Sequence, residues 1–151
     1  MPREQRSRWW LAATALLVIL VTGGVVIARA QRLPDGPEPI AWDRAACAHC
    51  HMLIGEPGFA AQLQLDDGRV LDFDDPGCLL HQLAGETAGV HAIWFHHAHE
   101  DRWLKGDAVA FRRVAHSPMG WGLAAVAADE PHDLELAAAT RRVTRSESAA
   151  P

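Results

Sequence analysis

The sequence predicts an α+β protein in which an N-terminal transmembrane helix precedes a small domain of two ββα-type halves. Three observations carry this expectation. Trp9 to Ala28 contains no charged residue. Two stretches of alternating apolar and polar residues flank an Asp66-Asp67-Gly68 turn. An acidic residue followed by proline opens a helix-like stretch twice, at Asp75-Pro76 and at Asp129-Glu130-Pro131.

Residues 1–8, with Arg3, Arg6 and Arg8, read as a short cytoplasmic N-terminus, and residues 9–28 are about long enough to cross a hydrocarbon core of ~30 Å. Basic residues before the apolar run favour an inside N-terminus. The expectation is a single-pass protein of the inner (cytoplasmic) membrane, tethered through this helix, with its C-terminal domain facing the periplasm or the cell exterior. Ala28-Arg29-Ala30 also fits a small-x-small cleavage site with a mature start at Gln31. Because the apolar run exceeds the roughly 7 to 15 residues of a signal core, an uncleaved anchor is expected.

Residues 29–42, which include Pro34, Pro37 and Pro39, read as a semi-extended linker. A domain is expected over 43–145, and a disordered tail over 146–151. Within the domain, FAAQLQL (59–65) places Ala61, Leu63 and Leu65 on one face and Gln62 and Gln64 on the other, the pattern of a half-buried strand. After the turn, RVLDFDD makes the second strand of a hairpin, with Leu71 and Phe73 inward. Asp75 caps a helix whose first residue is Pro76 and whose stop is Gly85. Strands are expected at 90–95, 108–114 and 123–128, and a second helix over 129–142 that ends on Arg141 and Arg142, as the helix dipole favours.

Removing Arg3, Arg6, Arg8, Arg29 and Glu4 leaves 10 Lys and Arg against 18 Asp and Glu from Gln31 onward, a net charge near −8. Such a surface repels nucleic acid and anionic lipid and suits a cation or a basic partner.

The chain has three cysteines, and CAHCHM (47–52) holds two of them with two histidines and a methionine. Cys47-Ala-His-Cys50-His51 satisfies the attachment pattern of a c-type haem. Its surroundings are Gly55, Pro57, Gly58 and a hairpin rather than helix, which argues against a haem electron-transfer protein. Zinc could take the thiolates and a histidine. A thiol-redox pair would need a strand and a helix start around Cys47, where Pro34–Pro39 stands instead. Cys50 and Met52 form a soft thiolate and thioether pair that favours Cu(I). A second methionine, Met119, stands in the turn PMGWG, where filling a core is a poor explanation.

CAHCHM, the hairpin with its Asp-Gly turn, FDD before a helix, a Trp-containing strand and PMGWG together resemble the nitrous-oxide reductase accessory protein family, the NosL-type copper chaperones, over roughly residues 43–130. The resemblance implies a non-enzymatic Cu(I)-binding metallochaperone. Its partner would be nitrous-oxide reductase or the membrane complex that assembles it, and its metal residues would be Cys50, Met52 and Met119. Cys47, His49, His51 and His116 are additional candidates. The chain departs from the family in three ways. No cysteine precedes Cys47 to take a lipid, little chain follows Arg142, and His49 and His51 are extra.

Outside the motif, Cys78 reads as a buried structural thiol in the first turn of a helix. His96, His97 and His99 read as a solvated strand end, since neighbouring strand residues face opposite ways.

Overall fold

The computed structural model describes residues 3–30 and 33–148. The chain divides into two units, residues 1–33 and 34–151. The first contains one helix, α1 (Arg3–Ala30). Among the described residues no helix is long and apolar enough to cross a membrane. This overturns the expected transmembrane segment at 9–28, and with it the single-pass inner-membrane placement and the outward-facing orientation. Helix α1 includes Thr22, Gly23 and Gly24, and the Thr22 hydroxyl donates back to the Val18 carbonyl at 2.7 Å. The expected mature start, Gln31, and tail residues 149–151 lie outside the described residues.

The second unit is α+β. After a 3-10 turn at Pro57–Phe59, its elements are β1 (Ala61–Leu65), β2 (Val70–Phe73), α2 (Pro76–Gly85), β3 (Val90–His96), β4 (Trp103–Lys105), β5 (Val109–Arg113), β6 (Leu123–Ala127), β7 (Leu134–Glu135) and α3 (Leu136–Ser148). One sheet has the order β2-β1-β3-β4 and the other β6-β5-β7, with every pairing antiparallel. The β1–β2 hairpin forms as its pattern dictates, pairing Ala61 with Phe73 and Leu63 with Leu71, and Gly68 takes the left-handed conformation (φ 86°) that its turn needs. Helix α2 begins at Pro76 and ends at Gly85, with the Asp75 carboxylate accepting from the Gly77 amide at 2.9 Å. The two sheets meet through Phe95 of β3 and Phe111 of β5, whose rings pack edge to face at 5.1 Å, and through the Ala98 amide, which donates to the Ala125 carbonyl at 2.9 Å. Phe73, Leu63, Leu65, Leu79, Leu80 and Leu123 complete a core closed to solvent.

Three expectations change. Gln62 and Gln64 are fully buried rather than solvent-facing, because residues 34–40 lie over that face of β1 instead of forming a free linker. The Glu38 amide donates to Gln62 Oε1 at 2.8 Å, and Gln64 Nε2 donates to the Gly36 carbonyl at 2.7 Å. The second helix starts at Leu136, not at 129, because the acidic residues that would have capped it are committed elsewhere. Asp133 accepts from the Arg113 amide at 2.7 Å, so the following Leu134 and Glu135 pair with β5 as β7. Helix α3 also extends to Ser148, into the expected tail.

The histidine-rich end of β3 is not solvated: His96 and His97 are buried. His97 Nδ1 accepts from the His99 and Glu100 amides, both at 3.1 Å, so the ring proton lies on Nε2 and is donated to Glu130 at 3.0 Å. His96 bridges the His97 carbonyl and Asp101.

Candidate metal centre

The segment carrying CAHCHM closes on itself before it meets anything else. Ala46 and Leu53 form an isolated bridge, the Cys47 amide donates to the Met52 carbonyl at 2.8 Å, and the His51 amide donates to the Cys47 carbonyl at 3.0 Å. So tight a ring needs one left-handed residue, and His51 supplies it at φ 64°. The Ala48 amide then donates to the Asp72 carbonyl at 2.8 Å, fastening the ring to β2. Since β2 leads directly through Asp74 and Asp75 into α2, the first turn of that helix arrives beside the ring. Cys78 is in that turn.

The result is a group of three ligand atoms: the sulfurs of Cys47, Cys50 and Cys78 all lie within 4.8 Å of one another. All three are free thiols; Cys47 and Cys78 are fully buried and Cys50 is half-buried. The cluster could hold a metal ion. Cys78 sharing its proton with Cys47 is the main reason the Cys47 thiol is held well below the ordinary range, with backbone groups of Cys50, Asp74 and His49 adding to it against the cost of burial. The same shared proton, then burial, pushes the Cys78 thiol up, while a hydrogen bond from Trp121 acts the other way. Burial and the Cys47 charge push Cys50 up. A cation bound by the three sulfurs would displace their protons.

The loop carrying Met119 joins the same end of the molecule. Asp75 holds it: one carboxylate oxygen caps Gly77, and the other accepts from Ser117 Oγ at 2.6 Å and from the Met119 amide at 3.0 Å. Gly120 and Gly122 take left-handed φ values of 75° and 66°, and the Gly122 amide donates to Ser117 Oγ, which folds PMGWG into a compact turn. Above Gly77 sits Trp121, which stacks with His81 at 6.3 Å, and His49 meets His81 at 4.4 Å with its ring tilted.

Of the sequence candidates, Cys47 and Cys50 are brought together. Met52 and Met119 are exposed, the first within the cysteine ring and the second on the loop held by Asp75. His49 faces His81, whereas His51 and His116 are exposed. Among the described residues none of these histidines joins the three sulfurs in a group of mutually close ligand atoms. Cys78, set aside by sequence as structural, is buried as expected and is also the third member of the cluster. The signal that could have found it is FDDPGC, a strand running straight into a capped helix whose first turn carries a thiol. Covalent haem is a poor fit, because the Cys47 sulfur is closed off in the core beside Cys78. Comparison with known proteins attaches no family to this arrangement: no family model, curated protein or solved structure matches the chain.

Proposed function

We propose that the protein is a Cu(I) carrier whose cargo sits on the sulfurs of Cys47, Cys50 and Cys78, with the exposed thioethers of Met52 and Met119 serving ligand exchange. The observation that carries this is the three-sulfur group, which no histidine or carboxylate atom joins among the described residues. Three soft donors without a fourth suit Cu(I), whereas structural zinc takes four ligands. Half-buried Cys50 leaves the group open on one side, which favours handing the ion on over enclosing it. The motif resemblance extends the reading to a non-enzymatic metallochaperone of denitrification, supplying nitrous-oxide reductase or its assembly machinery.

The test is anaerobic titration of the full chain with Cu(I), followed by X-ray absorption. One equivalent with sulfur neighbours alone is expected. One equivalent of tightly held zinc with a nitrogen neighbour would overturn the copper reading and point to His49 or His81. For the client, a copper-limited strain lacking the protein should accumulate metal-poor nitrous-oxide reductase; fully metallated enzyme would overturn that assignment.

A further inference from the structure

The loop that carries Met119 also carries Trp121, which lies over the first turn of α2, where Cys78 stands. Trp121 is half-buried and packs on the core, with its indole against Gly77, the residue before Cys78. Its position is built into α2. A Cβ on Gly77 would overlap Cβ, Cγ and Cδ1 of Trp121, so the indole occupies space that only glycine leaves empty. Gly77 stands in the first turn of α2, one residue before Cys78. Two further contacts hold the loop over that turn: Asp75 to Ser117 and Met119, and the stack of Trp121 on His81. The cluster is accordingly asymmetric, with Cys47 and Cys78 closed to solvent and Cys50 half-open.

We propose that Trp121, seated in the gap over Gly77, is the access-controlling residue of the cysteine cluster, covering Cys78 so that a thiophilic metal ion enters and leaves past Cys50. This rests on reading the cluster as a metal site. Trp121 acts as a positioning and shielding residue, not as a ligand.

The experiment compares wild type, Gly77→Ala, Trp121→Ala and Trp121→Phe in the full chain. In the metal-free protein, iodoacetamide labelling of each cysteine is followed by peptide mass mapping. Gly77→Ala and Trp121→Ala should label Cys78 about tenfold faster, with the Cys50 rate unchanged, as expected when a local cover opens without global unfolding. Trp121→Phe keeps a ring over the helix and should restore slow labelling. In the Cu(I)-loaded protein, a colorimetric Cu(I) chelator should extract the ion about tenfold faster from Gly77→Ala than from wild type. Gly77→Ala favours the helix intrinsically, so it tests the cover even if Trp121→Ala fails to fold. Cys78 labelling at the wild-type rate in Gly77→Ala would overturn the proposal. So would a parallel rise at all three cysteines, since Trp121 would then be holding the fold and not one thiol. If Cu(I) fails to bind, the carrier reading fails while the labelling result still decides the cover.

Discussion

Two regions of this domain are rich in metal-ligating side chains, and they resolve in opposite ways. At the end of β3, His96, His97 and His99 stand within four residues of one another, but both buried rings are already committed. His97 receives two amides and donates to Glu130, and His96 bridges a carbonyl and Asp101. At the cysteine ring, Cys47, Cys50 and Cys78 come from two distant segments, and their sulfurs all lie within 4.8 Å of one another. The difference is one of satisfied valence. A buried polar group with partners of full strength is structure, whereas soft donors gathered close to one another could hold a metal ion.

The largest expected effect tests that contrast directly. Cys47→Ser should weaken Cu(I) binding by more than about 100-fold, beyond what loss of an outer-shell partner does, as measured by competition with a chelator of known affinity. The converse is His97→Ala, which should leave Cu(I) stoichiometry intact yet cost about 1–3 kcal/mol in denaturant unfolding, since the His99 and Glu100 amides lose their acceptor. A change in metal binding with His97→Ala would break the contrast.

A smaller effect concerns pH. The His97 ring proton beside Glu130 is the main reason that its carboxyl is held below the ordinary range, with the Ala127 amide and Arg102 adding to it. A depressed carboxyl contributes stability above its unfolded value of ~4.3, and that contribution is lost as pH falls through the lower folded value. Glu130→Gln should therefore flatten the acid side of the stability profile. A profile as steep as that of wild type would show that Glu130 is not what couples this corner to pH. The smallest effect is expected at His99, which is exposed. His99→Ala should change stability by no more than about 0.5 kcal/mol and leave Cu(I) stoichiometry unchanged in the same titration.

What was legible in the sequence was local. Asp75, Pro76 and Gly85 mark α2 because a cap, a first-turn proline and a stop act within their own turn, and the Asp67-Gly68 turn dictates its hairpin for the same reason. The pairing of Cys47 with Cys50 is likewise a matter of spacing. What was hidden depends on distant chain. Gln62 and Gln64 look solvent-facing until residues 36–38 arrive to bond them. Glu130 looks like part of a helix start until His97, just past the end of β3, claims it. Cys78 looks like packing because nothing in its own helix reveals that the ring tied to Asp72 will be its neighbour. The membrane-crossing segment fails for a different reason: an uncharged run is not by itself a span, and no described helix is long and apolar enough to cross a membrane.

The cover that residues 34–40 form over β1 bears on where an independently folding piece begins. A fragment cut at Ala41, just past the prolines, would lack the Gly36 and Glu38 groups that bond the two buried glutamines, and would lose Ile40 from the core. It would expose two amide side chains in the middle of a sheet and present a fresh face for self-association. The His91 ring meets the Pro34 carbonyl at 2.9 Å, so the contacts of this strap reach back at least that far. The proline-rich opening from Pro34 onward is therefore a seam of the folded unit, and a fragment meant to keep both buried glutamines bonded has to include it.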